Sequence, residues 1–170
     1  MKKLLVLLLI PSMAGAQKIV ENKIDDFTHH KIKRTSWEPL VRNFGGHTII
    51  LTRISEVDGN RFLDVRIMRD AGPFVIKENG QFMLKTETDS IITLQVLRTE
   101  FSCLGCGADG ITGSGLQGMN ISFPLTANDA KYLSIHLTRK IRVYFFDSYW
   151  EEEVKERPAK GLAKALQLIN

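Results

Sequence analysis

The chain has 170 residues, of which 44% are hydrophobic and 25% are charged, and its formal net charge is +4 at pH 7. This length and composition are typical of one globular domain with enough interior to fold without disulfide staples. Acidic residues are interspersed among the lysines and arginines along almost the whole chain. Nucleic-acid binders instead cluster their basic residues on one stripe, so we predict no nucleic-acid partner.

The first 16 residues have the three parts of a secretory signal peptide. Two lysines follow the initial Met, an apolar run covers Leu4 to Ile10, and Ala14-Gly15-Ala16 matches the small-residue cleavage pattern. The apolar run is shorter than the roughly 20 residues that a membrane-spanning helix needs. We therefore predict cleavage before Gln17 and no transmembrane anchor afterwards. The product would be an exported protein, periplasmic or secreted, in which residues 17–170 form a single β-rich domain.

Two dipeptides, Asp58-Gly59 and Asn79-Gly80, are typical of the tight type I′ turns of β-hairpins, which need positive φ at both central residues. Each separates two strand-like runs. These runs are His47 to Val57 and Asn60 to Arg69 around the first dipeptide, and Phe74 to Glu78 and Gln81 to Thr86 around the second. The pattern predicts two successive hairpins of an antiparallel meander.

Further strands are predicted on both sides of these hairpins. They cover Gln17 to Ile24, Phe27 to Trp37, Ile91 to Leu97 and Met119 to Pro124, and a third hairpin joins Lys140 to Phe146 with Tyr149 to Val154 through Asp147-Ser148. Many short strands with polar turns favour an all-β architecture. We predict a mainly β fold, an antiparallel meander that forms either a sandwich or a barrel-like sheet.

Two segments have helical patterns. A short helix is predicted over 126–133, with Thr126 as its N-cap and Asp129 near its positive end. A second helix is predicted over 157–169, where Pro158 suits the first turn and apolar residues recur at helical spacing. We expect this amphipathic C-terminal helix to pack on the sheet, because it lacks the aromatic anchors and strong charge of a membrane-surface helix.

Both cysteines of the chain lie in the segment Cys103-Leu104-Gly105-Cys106. In an exported protein such a pair is expected to be oxidised, so a disulfide between Cys103 and Cys106 is the first interpretation. It would close a very small loop and remove little chain entropy, so its role would be to shape the glycine-rich segment that follows. Two alternatives stay open: half of a zinc site, completed by histidines, and a thiol-redox motif.

Glycine is frequent after the cysteines, and Gly113 to Gly118 matches the nucleotide-binding pattern G-x-G-x-x-G letter by letter. That pattern has a mechanism only between a strand and a helix N-terminus, whereas here a cysteine loop precedes it and a predicted strand follows. We therefore predict no cofactor. The segment 103–118 is interpreted as a long surface loop of the kind that often contacts ligands, with Asp109 as a candidate contact residue.

Aromatic residues gather in the last predicted hairpin. Tyr144, Tyr149 and Trp150 are candidate binding residues, since aromatic rings on an exported β scaffold can stack on sugars or hold a peptide. Their alternative role is to stabilise the hairpin as cross-strand pairs and to fill the core.

Residues with catalytic or metal-binding chemistry form no arrangement typical of an enzyme. Asp25, Asp26, His29 and His30 form the one further cluster of metal-ligand types, but alternation along an extended strand would bring at most two of them to one ion. Neither a G-x-S-x-G nor an H-E-x-x-H motif occurs in the chain. We predict no catalytic residue and no metal ligand.

The segment Ile141 to Glu151, IRVYFFDSYWE, is followed by charged residues and by a terminal helical segment, Ala163 to Ile169. Together with the signal peptide, this C-terminal pattern is similar to that of small exported β-rich proteins of unknown function from Bacteroidota. The resemblance implies an address at the cell envelope or outside the cell. It implies no activity and no site residues.

These patterns favour an exported, non-catalytic binding or structural domain, with an extracellular or cell-envelope protein or glycan as its ligand. The contact surface would be the loop from Cys103 to Gly118 or the final hairpin. A periplasmic metal-binding or thiol-redox protein that uses Cys103 and Cys106 is the alternative.

Overall fold

Antiparallel strands make up most of the computed structural model, which describes residues 17–43 and 47–169. The predicted signal peptide therefore lies outside the described residues. In chain order the elements are β1 (Ile19–Ile24), β2 (Lys31–Thr35), β3 (Glu38–Arg42), β4 (Thr48–Val57), β5 (Asn60–Arg69), β6 (Val75–Ile76), β7 (Gln81–Thr86), β8 (Ile91–Gln95), β9 (Glu100–Phe101), β10 (Cys103–Leu104), β11 (Gln117–Leu125), α1 (Ala127–Ile135), β12 (Thr138–Tyr144), β13 (Tyr149–Glu153) and α2 (Glu156–Ile169). The predicted mainly β fold with two helices is confirmed.

The hairpin of β4 and β5 lies in the middle of the largest sheet. Its strands have 10 residues each and pair in register from Thr48 opposite Arg69 up to the turn. Asp58 and Gly59 form that turn with φ angles of 50° and 82°, left-handed conformations that aspartate and glycine tolerate. The first predicted hairpin is confirmed.

Two larger sheets enclose a shared core. The 7-stranded sheet has the order β1-β2-β4-β5-β11-β10, with β3 also paired to β4, and the 4-stranded sheet has the order β13-β12-β7-β8. The rings of Phe82 and Phe123, one from each sheet, stack inside the core with centroids 5.3 Å apart. Over residues 17–43 and 47–169 neither sheet closes on itself, so the arrangement is that of packed sheets rather than of a closed barrel.

The second predicted hairpin, around Asn79-Gly80, is wrong. A turn does form there, since Asn79 has a φ of 62° and Gly80 donates a hydrogen bond to the carbonyl of Lys77. However, β6 pairs with β9 in a separate 2-stranded sheet, while β7 pairs with β8 and β12. Val96 explains the difference, because it accepts from the Asn79 N–H and donates to the Gly80 carbonyl. The segment after β8 thereby takes the backbone hydrogen-bonding groups that a strand before β7 would need in order to pair with β7.

Near the N-terminus, the predicted strand from Phe27 to Trp37 is shorter in the structure. The carboxylate of Asp25 accepts hydrogen bonds from the backbone N–H groups of Phe27 and Thr28, at 3.1 and 2.8 Å, and so holds a turn before β2. The sequence also fails to predict β3, because Pro39 is unusual in a strand. β3 pairs with β4 as an edge strand, and an edge strand tolerates the missing backbone N–H of a proline.

Both predicted helices are confirmed. Thr126 caps α1 by accepting a hydrogen bond from the N–H of Asp129 at 3.1 Å. α2 packs on α1 and on β3 and β4, and Lys33 donates to the carbonyl of Leu168 near its C-terminus at 2.8 Å. The buried residues of α2 are Ala159, Leu162, Ala163, Ala165, Leu166 and Ile169. In the described ranges, no helix has the length and apolar character required to cross a membrane.

Replacing Leu166 with alanine should destabilise the domain by about 2–5 kcal/mol, because its side chain is only 2% exposed and a cavity would remain between α2 and the sheet. Lys164→Ala, at an exposed position of the same helix, should change the free energy of unfolding by less than about 0.5 kcal/mol. Urea denaturation followed by circular dichroism measures both. Equal unfolding midpoints for the two variants would contradict the burial of this face of α2.

Candidate ligand-binding surfaces

The structure places the four candidate contact residues in three different locations. Tyr144 and Tyr149 lie opposite each other on the outer face of the 4-stranded sheet. Trp150 follows Tyr149 in β13 and therefore points to the other face, where it packs against the shared core. Asp109 lies in the glycine-rich loop, near Arg66 of the 7-stranded sheet. No single surface contains all four.

The two tyrosines belong to a row of side chains that crosses the 4-stranded sheet. Their ring centroids are 5.8 Å apart. Because Val143 pairs with Phe82, Gln81 lies in line with Tyr144, and Gln95 is the partner of Gln81 on the next strand. We call this row, together with the neighbouring arginine, the tyrosine face: Tyr149, Tyr144, Gln81, Gln95 and Arg142.

Arg142 holds the two tyrosines in place. Its guanidinium donates to the hydroxyl of Tyr144 at 2.9 Å and to Glu151 at 2.6 Å, and it lies 4.6 Å from the ring centroid of Tyr149. The hydrogen bonds to Tyr144 and Glu151 raise the pKa of Arg142, and those from Lys140 and Arg142 lower the pKa of Glu151. These contacts of Arg142 restrict the orientation of both tyrosine rings.

Trp150 has a structural environment. Its indole N–H donates to Glu152 at 3.1 Å, and the guanidinium of Arg69 lies 5.3 Å from its ring centroid. Arg69 also lies 5.1 Å from the ring of Phe145, and burial at this position lowers the pKa of Arg69. Trp150 therefore holds the hairpin against the core and does not extend the tyrosine face.

The glycine-rich loop packs against the outer face of the 7-stranded sheet. The sulfur atoms of Cys103 and Cys106 lie at bonding distance, with their Cα atoms 5.3 Å apart, as the disulfide interpretation requires. Gly118 allows the backbone of Cys106 to pass directly over β11, since a Cβ there would overlap the carbonyl oxygen of Cys106. A Cβ at Gly113 would likewise overlap the sulfur atom of Met68 on β5. The loop thus covers part of this face.

Beside the loop lies a group of residues that the sequence does not predict. The guanidiniums of Arg53 and Arg66 lie 4.5 and 4.2 Å from the ring centroid of Trp37, and Arg53 forms an ion pair with the buried Asp64 at 2.8 Å. Trp37 joins β2 to β3, whereas Arg53 lies on β4 and Arg66 on β5. Only long-range strand pairing brings them together. We call Trp37, Arg53, Arg66 and Asp64 the arginine cluster.

The aspartate and histidine segment near the N-terminus lies in a turn, so the extended strand assumed for it is wrong. His30 contacts Asp58 in the turn between β4 and β5, and the pKa of Asp58 is lowered by the N–H of Lys31 and by His30. Across the part of the chain that the structure describes, no three His, Cys, Asp or Glu side chains come together as a metal ion would need. Through His30 and Lys31, the turn between β1 and β2 is linked to the turn between β4 and β5.

Comparison of the chain with known protein families, with curated proteins and with solved structures gives no match to any of them.

Gly118→Ala should loosen the loop, because its Cβ would overlap the carbonyl oxygen of Cys106 and lie 2.9 Å from that of Ile67. Overpacking of this kind costs about 1–3 kcal/mol in unfolding free energy. Gly115→Ala is the matched control, since nothing lies within 4 Å of its Cβ position, and it should change stability by less than about 0.5 kcal/mol. Chemical denaturation checks both variants. A Gly118→Ala protein as stable as the control would show that the loop does not pack on β11.

Proposed function

We propose that this chain is an exported, non-catalytic binding domain that contacts a glycan through the tyrosine face. The observation that carries the proposal is an aromatic pair at the surface of the sheet, in which Tyr149 is exposed and Tyr144 is half-buried. Tyr149 is 58% exposed, and its ring lies next to that of Tyr144 on a short hairpin of the sheet. Large aromatic surfaces left in water at fixed positions are typical of contact sites.

A glycan fits the chemistry of this face better than a peptide does. The C–H groups of a sugar ring can pack on the tyrosine rings, while its hydroxyl groups can exchange hydrogen bonds with planar polar groups such as Gln81, Gln95 and Arg142. These side chains form a row across strands rather than a deep apolar pocket, which a peptide would need for a hydrophobic side chain. Preorganised rings also lose little conformational entropy on binding.

Binding of the mature domain to an array of immobilised glycans tests the proposal. We expect Tyr149→Ala and Tyr144→Ala each to weaken the binding that the wild type shows by at least about tenfold, since each removes a stacking surface. Phe146→Ala is the matched control, because Phe146 is equally exposed at 62% on the same hairpin but lies beyond the strand pair. It should bind as the wild type does.

Two results would overturn this assignment. One is the absence of wild-type binding to any glycan on the array. The other is binding that all three alanine variants retain, which would place the contact outside the tyrosine face.

Export is the second part of the proposal, and it is supported by the sequence of residues 1–16 and by the cysteine pair. Gln17 is only 6% exposed and accepts a hydrogen bond from Ser36 at 2.7 Å, so the folded domain already includes the first residue after the expected cleavage point. A disulfide between Cys103 and Cys106 is compatible with an oxidising compartment.

Mass spectrometry of protein recovered from the cell envelope or the medium tests export and the state of the cysteines together. The expected mass is that of residues 17–170 less the two hydrogens lost in a disulfide, with no bound metal. An uncleaved chain confined to the cytoplasm would contradict export. Retained zinc, or a cysteine pair that mild thiols reduce at once, would favour the alternative of a metal-binding or thiol-redox protein.

A further inference from the structure

Arg66 stands out from the other residues of the arginine cluster because its guanidinium is incompletely satisfied. Its Nε is buried, and within residues 17–43 and 47–169 no hydrogen-bond partner lies in reach of it. The side chain as a whole is only half-buried, so solutes can reach part of it. A covered donor without a partner costs free energy, and in native proteins it often marks the place of an unseen ligand or water.

The neighbouring charges do not neutralise Arg66 directly. Arg53 is engaged by Asp64, whose other oxygen accepts a hydrogen bond from Ser122 at 2.6 Å. Burial lowers the pKa of Arg66, while the charges of Asp109 and Asp64 raise it. Asp109 is exposed and lies two residues after Gly107, the point where the loop passes over the stem of Arg66.

We propose that Arg66 and Trp37 form a binding site for an oxyanion, such as a carboxylate or a sulfate group, and that Asp109 acts as its internal competitor. The planar guanidinium lies over the Trp37 ring, 4.2 Å from the centroid, and this contact restricts its position. The fork of a guanidinium can offer paired N–H donors to two oxygens of one anion. This site lies on the 7-stranded sheet and does not depend on the tyrosine face.

An oxyanion fits better than a neutral hydroxyl ligand for two reasons. A partly desolvated cation gains most from a charged acceptor, since charge-assisted hydrogen bonds are about twice as strong as neutral ones. In addition, the exposed carboxylate of Asp109 is itself an oxyanion whose charge already acts on the same cation. A bound anion would contact directly the positive charge of Arg66 on which Asp109 acts only from a distance.

The experiment titrates the mature domain with sodium sulfate and, separately, with sodium acetate, at constant ionic strength kept with chloride. The first measurement is the fluorescence of Trp37, recorded in a Trp150→Phe background because the chain has two tryptophans. The second is the NMR shift of the Arg66 Nε–H in the wild type, which avoids any disturbance from the Trp150 substitution. Sulfate and acetate distinguish a sulfate-bearing ligand from a carboxylate-bearing one.

Three variants give the proposal a two-sided test. Arg66→Gln should abolish saturable binding, and Asp109→Asn should tighten it by about two- to fivefold, because an exposed negative charge near the anion is removed. Arg98→Gln is the control, since Arg98 is an exposed arginine paired with Glu100, and it should bind as the wild type does.

The outcomes separate clearly. Wild-type binding that is lost in Arg66→Gln and tighter in Asp109→Asn supports the site. Weaker binding in Asp109→Asn would mean that Asp109 is a ligand contact and would overturn the oxyanion assignment. Absence of saturable binding to either anion by both measurements, or identical affinities in all variants, would also overturn it.

Discussion

The pairing of β4 with β5 fixes the geometry of the 7-stranded sheet and of the arginine cluster that lies on it. β4 also pairs with β2 and β3, and β5 pairs with β11. The placement of these neighbouring strands in the large sheet therefore follows from this one hairpin. Alternation along β4 sends Ile50 and Ile54 into the shared core and Ile49 and Leu51 to the opposite face. A slip of one residue would exchange these sets and turn Arg53 toward the core. The cost of that exchange makes the register strongly specified.

How much of this fold the sequence predicts depends on how local each determinant is. The turn at Asp58-Gly59 joins strands that pair with each other, so a local pattern suffices. At Asn79-Gly80 the same kind of dipeptide produces a turn, but Val96 and β9 take the backbone positions that would have completed the hairpin. Turn chemistry thus predicts where the chain reverses, while the choice of strand partner depends on contacts distant in sequence.

The candidate surfaces also differ in whether local sequence or distant contacts determine them. Tyr144 and Tyr149 meet because one short turn places them opposite each other, and the sequence indicates this directly. Grouping Trp150 with them overlooks the two-residue period of a strand, which already places neighbours on opposite faces. The arginine cluster is different in kind, since Trp37 and Arg66 meet only after β2, β3, β4 and β5 have assembled. Neither spacing nor motif marks these two residues in the sequence.

The cysteine pair acquires a local role from this arrangement. A disulfide between residues so close in sequence restricts the unfolded chain very little, so it contributes little to global stability through chain entropy. What it does constrain is the path of the backbone from Cys103 to Cys106, directly before Gly107 passes over the stem of Arg66 and Gly113 meets Met68. The glycines at these positions permit the loop to approach the sheet closely. The disulfide reduces the number of backbone conformations available to the segment directly before them. The position of Asp109 relative to Arg66 therefore depends on a covalent constraint in the loop as well as on the register of the sheet beneath it.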